Sequence, residues 1–134
     1  MSDAQQAMAE LQAVQQRLQQ VDRQLAAIEA QVVEVRRAQQ TLEGLTADQS
    51  GLVPIGGGFH IRATLHGDAP VVVPVGSGYA ADHDLEAAVA LLQQRSDDAM
   101  DLMRRTEQEA DTLARTAQEL AQKVQAAQAP PAST

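Results

Sequence analysis

Residues Leu52 to Ala81 read LVPIGGGFHIRATLHGDAPVVVPVGSGYAA, and this stretch decides the fold. It is a Gly- and Pro-rich island between two long segments that are nearly free of both residues. Two hairpins are predicted within it. The first runs Leu52–Ile55, turns through Gly56-Gly57-Gly58 and returns over Phe59–Leu65; the second runs Val71–Val75, turns through Gly76-Ser77-Gly78 and returns over Tyr79–Ala81. The connector between them is His66-Gly67-Asp68-Ala69-Pro70. Phe59, Ile61, Ala63 and Leu65 alternate with His60, Arg62 and Thr64, the period of a strand with one buried and one wet face.

Pro54 and Pro74 lack a backbone donor, which favours edge positions or unpaired sites. Four short strands alone make a marginal sheet. The head is therefore expected to pack on other subunits. The residues expected to carry that oligomerisation are Leu52, Ile55, Phe59, Ile61, Leu65, Val71, Val72, Val73, Val75 and Tyr79.

Outward from the head lie two heptad segments. In the first, about Asp3 to Gly44, Leu11, Leu18, Leu25, Val32 and Gln39 occupy a positions, and Val14, Val21, Ile28, Val35 and Leu42 occupy d positions. A helix of about 40 residues would be about 60 Å long and cannot cover its own apolar stripe. Gly44 is the expected stop, with Thr46 to Gly51 as a polar connector.

The second helix is expected over about Asp84 to Gln128, capped by Asp82 or Asp84. Its seam runs Leu85, Val89, Leu92, Ser96, Ala99, Met103, Thr106, Ala110, Leu113, Ala117, Leu120, Val124 and Ala127. The middle positions are small or weakly polar. An antiparallel pairing would bring Leu11 near Leu120, Leu25 near Thr106, Val32 near Ala99 and Val35 near Ser96. The fold class is thus mainly α with a small β head: an antiparallel coiled-coil hairpin of two long helices. Residues 1–128 form one domain, and 129–134, with Pro130 and Pro131, are an expected disordered tail.

Composition narrows the function. Of the 134 residues 44% are hydrophobic but only 1% aromatic, which suits heptad helices better than a thick globular core. A net charge of −8 disfavours nucleic acid and anionic membranes as partners. Basic side chains are nearly all Arg, with Lys123 the only lysine, a bias that fits either a GC-rich genome or salt adaptation. There is no cysteine, so disulfides and thiolate chemistry are excluded. The first residues show no basic region followed by an apolar run, and no apolar stretch approaches the roughly 20 residues of a membrane span; a cytoplasmic location is expected.

No catalytic constellation emerges, and no cofactor or metal is expected. The Gly loops are followed by strands rather than a helix N-terminus, and no Lys is near, so they read as turns rather than phosphate cradles. His60, His66 and His83 are the only imidazoles. Asp82-His83-Asp84 places neighbouring side chains on different faces, and no second cluster supplies further metal ligands.

The order of a long heptad helix, VPIGGG with its following strand, VPVGSGY leading into DLEAAV, and a second heptad helix resembles the alpha subunit of archaeal prefoldin over about residues 8–127. Two hairpins in the head resemble the alpha type, since the beta type carries one. The resemblance implies a hexamer of two alpha and four beta subunits, whose strands assemble into a β-barrel from which coiled-coil arms project. It implies an ATP-independent holding chaperone that captures non-native polypeptides near the arm tips and passes them to a group II chaperonin. On that basis the open helix ends are expected to fray and offer Met8, Leu11, Val14, Leu120 and Val124 to clients. The rival expectation is a structural coiled-coil adaptor that dimerises through its β head.

Overall fold

The computed structural model describes residues 2–45 and 48–128. The expected tail, 129–134, lies outside the described residues. Two helices, α1 (Asp3–Glu43) and α2 (Leu85–Gln128), flank four strands in the chain: β1 (Gln49–Gly56), β2 (Phe59–Leu65), β3 (Val71–Gly76) and β4 (Tyr79–His83). The strands form two separate antiparallel hairpins, β1–β2 and β3–β4, and among the described residues they close no barrel. The chain divides into two compact units. One holds α1 up to Gln31 and α2 from Ala99; the other spans Val32–Asp98.

In the first unit the helices run antiparallel. Ala7 packs with Leu120 and Val124, and Leu11 and Val14 lie against that cluster. Further along, the Arg17 guanidinium donates from Nε (2.9 Å) and Nη2 (2.6 Å) to Glu109 Oε1. Both side chains are 42% exposed, so the pair sets register more than stability; such pairs contribute roughly 0.2–1 kcal/mol. Val21 is fully covered and Ile28 is buried. On α2, Ala99 and Thr106 are buried, and the Thr106 hydroxyl donates to Leu102 O at 2.7 Å. That bond satisfies the one polar group the seam draws inward there.

In the second unit Val32, Val35 and Ser96 are buried, and Gln39 Nε2 donates to Gln93 Oε1 at 2.9 Å. The polar break that Gln39 makes in the first heptad seam is thus answered by a polar partner. Of the two caps left open, Asp82 and Asp84, Asp84 caps α2: its Oδ1 accepts from Ala87 N at 2.7 Å, and its carbonyl accepts from Ala88 N. Gly44 follows the end of α1, yet it does not take the left-handed conformation of the usual glycine stop.

The two hairpins are near-copies 20 positions apart, VPIGGGF and VPVGSGY. Each turns through two residues at positive φ, Gly57-Gly58 (58° and 83°) and Ser77-Gly78 (53° and 79°). This is the backbone of the two-residue turn that matches strand twist. Each also carries a bulge just before the turn: Ile55 between Pro54 and Gly56, and Val75 between Pro74 and Gly76. A proline beside a bulge is where a strand loses least from a missing donor. Ser77 adopts in the second turn a backbone that glycine holds without strain in the first.

The strands are longer than expected. Gln49–Gly51, read as connector, pair with Ala63–Leu65, and the last strand continues through Asp82 and His83, which pair with Val72 and Val71. Strand pairing overrode weak local propensity in both places.

Val21→Ala removes the most completely buried side chain of the seam (0% exposed). It should lower the unfolding free energy by roughly 2 kcal/mol in urea titration followed by circular dichroism.

Candidate functional site

Two surfaces gather the residues that sequence reasoning selected. The first is the terminal end of the first unit, where α1 begins and α2 ends. Ser2 and Gln5 form a reciprocal capping box there: Gln5 N donates to Ser2 Oγ at 3.2 Å, and Ser2 N donates to Gln5 Oε1 at 3.3 Å. Two of the donors that a helix start leaves open are thereby satisfied. Behind the cap, Ala7, Leu120 (6% exposed) and Val124 (8%) form a buried cluster. Leu11 and Val14 are half-buried against it, and only Met8 of the five expected client residues is exposed. The seam is therefore packed shut at this end. Beside it lies an open cleft of about 610 Å³, floored by Ala7, Leu120 and Ala127 and edged by Asp3, Glu10 and Lys123. The capping box was legible as Ser-x-x-Gln at the start of the heptads, a signal the heptad count alone passes over.

The second surface is the head, in the other unit. Leu52, Val53, Ile55, Phe59, Ile61 and Leu65 of the first hairpin are all exposed, as are Val72, Val75 and Tyr79 of the second. Phe59 (72%) and Tyr79 (74%), the single phenylalanine and the single tyrosine, hold equivalent positions after their turns. The face of β2 expected to be buried is open, because among the described residues no third strand or helix lies over it. Val71 is half-buried. Val73 is buried within its own chain and so is withdrawn from the surface expected for oligomerisation.

The reason is a groove of about 420 Å³ where β3 lies along the helices, lined by Val73 and Pro74, by Ala38 and Leu42 of α1, and by Ala88 and Leu91 of α2. Arg95 Nη2 donates to Pro74 O at 3.2 Å and ties the strand to α2. Ala88, off the heptad seam, is buried for this reason and was missed by periodicity. The imidazoles take ordinary local bonds: His60 Nδ1 with Gly58 O, and His66 Nδ1 with Asp48 Oδ1, both at 3.1 Å. No helix among the described residues is long and apolar enough to cross a membrane.

The exposed hairpin residues are not buried in a core of the isolated chain. Phe59→Asp and Ile61→Asp should each leave its thermal unfolding free energy within about 0.5 kcal/mol of the parent, the range of surface substitutions. A larger loss would show that these side chains pack within the chain.

Comparison with known proteins agrees with this architecture. The prefoldin subunit family matches residues 5–129. The alpha subunit of prefoldin from Pyrococcus horikoshii is 27% identical over 123 residues, 89% of this chain and 83% of that one. The alpha subunit from Halobacterium salinarum is 36% identical over 62 residues, 46% of this chain and 40% of that one. Among solved structures, the prefoldin beta subunit from Thermococcus strain KS-1 superposes with a TM-score of 0.72 at 22% identity, covering 98% of this chain and 96% of that chain. Filamentous prefoldin from Methanocaldococcus jannaschii gives 0.67 at 18% identity, covering 89% and 98%. The alpha-like pair of near-identical hairpins between two heptad helices, and a family match along almost the whole chain, place this protein in the prefoldin family as a prefoldin-type chaperone subunit.

Proposed function

We propose that this chain is an ATP-independent holding subunit that works in the cytoplasm with beta-type prefoldin partners. Residues 1–128 act as one prefoldin-like domain. Two copies join four beta-type subunits, and the hairpin residues Leu52, Ile55, Phe59, Ile61, Leu65, Val72, Val75 and Tyr79 supply the apolar contacts. The assembly holds non-native polypeptides and releases them to a group II chaperonin. The observation that carries this reading is the uncovered apolar head: nine large side chains that the chain cannot bury by itself. Nucleic acid and membrane surfaces are poor partners for a chain of net charge −8.

Client contact is assigned to Met8, Leu11, Val14, Leu120 and Val124. Weak contacts from several arms add through multivalency, which suits reversible holding. A second reading, a coiled-coil adaptor that dimerises through the head and holds no client, draws on the closed terminal end, where only Met8 of the five is exposed.

Light scattering of the chain mixed with a beta-type prefoldin subunit should give the mass of a two-plus-four hexamer, and Phe59→Asp or Ile61→Asp should prevent it, because a buried unpaired charge is costly. The hexamer should suppress aggregation of a denatured client, and Ser at the five terminal positions should weaken that suppression with the mass unchanged. A chain that remains a dimer and suppresses nothing would favour the adaptor.

A further inference from the structure

We infer that Arg62 and Asp82 decide which strand edges meet when two copies of this chain join: β2 of one copy pairs antiparallel with β4 of the second, with these two charges opposite each other. The inference rests on the two-copy assembly proposed above and names its contact. Two hairpins that are near-copies create an ambiguity, since an edge that accepts one accepts the other. What resolves it lies where the copies differ. When VPIGGGF is aligned with VPVGSGY, Arg62 and Asp82 occupy the same place. Arg62 lies opposite Leu52 of β1, and Asp82 lies opposite Val72 of β3, equivalent partners in equivalent strands. Both charges are exposed, and among the described residues neither has an ion-pair partner. One place in the motif thus carries a cation in the first hairpin and an anion in the second.

The strand edges agree with this. Pro54 and Pro74 stand at equivalent positions in β1 and β3, and proline blunts an exposed edge. Arg95 Nη2 also donates to Pro74 O, so β3 is already engaged from outside its hairpin. β2 and β4 hold neither proline nor glycine, and each has one edge that no strand pairs with among the described residues. With Arg62 opposite Asp82, the rest of an antiparallel register follows. All of β4 is paired, Leu65 meets Tyr79, and Ala63 meets Ala81. Apolar side chains then meet on one face while the charges meet on the other. Full overlap of β2 with a second β2 would instead oppose Arg62 to Arg62, and like charges directly opposite are destabilising. Full overlap of β4 with a second β4 sets Asp82 opposite Ala80, with no countercharge. Each copy owns one edge of each kind, so two copies related by a twofold axis satisfy both reciprocally.

The test reads self-association of the full chain alone, by sedimentation equilibrium, with far-ultraviolet circular dichroism to show that each variant keeps its helices. The parent should form a dimer. Arg62→Asp and Asp82→Arg should each weaken it by about tenfold, because both reciprocal pairs turn from opposite to like charge. The double variant, with the charges exchanged, should return to within about twofold of the parent. An equimolar mixture of the two single variants should also associate as the parent does, since each brings two like charges that only the other answers. A monomeric parent overturns the inference, and so do single variants that associate normally. Weakening that neither the exchange nor the mixture restores overturns it too, since the two positions then do not face each other. The mass with a beta-type subunit is measured separately. A chain that is monomeric alone yet completes the hexamer removes this pairing and leaves the assembly standing; a charge-dependent dimer that joins no beta-type subunit supports the pairing and removes the hexamer.

Discussion

An amphipathic helix of 41 or 44 residues presents one apolar stripe that it cannot cover, and the rest of this structure depends on that constraint. Each helix needs the other along its length. The division of side-chain size follows: α1 supplies Val21, Ile28, Val32 and Val35, while the middle of α2 supplies Ser96, Ala99 and Thr106. Large residues on one helix and small ones on the other keep a narrow seam filled without aromatic side chains. The Arg17–Glu109 pair and the Gln39–Gln93 hydrogen bond then select the register, because a slip by a heptad would separate both.

The head answers a different limit. A two-stranded hairpin has two faces and two edges, and nothing within it can cover them. The second hairpin solves half of this by resting β3 against the helices, which buries Val73 and engages Pro74 O through Arg95. The first hairpin finds no such support and leaves the face of Val53, Phe59, Ile61 and Leu65 apolar and open. Two sequences that are nearly the same thus end in different environments because of where each hairpin meets the helices. The surface left over is too continuous to be a random scatter of exposed apolar residues.

Much of this was legible in the sequence. The heptads gave both helices to within a residue at most boundaries, Asp84 announced the start of α2, and the Gly-rich turns marked both hairpins. What escaped shares one cause: it depends on contacts between elements. Gln49–Gly51 are strand because Ala63–Leu65 are there to pair with them, and Ala88 is buried because β3 crosses a face that periodicity assigns to solvent. At the start of α1, Ser2 and Gln5 supply local bonds that a pattern search confined to apolar positions does not weigh.

The two apolar surfaces differ in a way that bears on their roles. Those of the head cannot be satisfied within the chain, so any partner that covers them competes only with water, and the resulting contact favours lasting association. Leu120 and Val124 are already covered, by Ala7 with Leu11 and Val14 packed against the same cluster, so this end is satisfied within the chain. The same chain leaves Phe59 and Tyr79 with nothing to rest on and closes its other apolar cluster on itself.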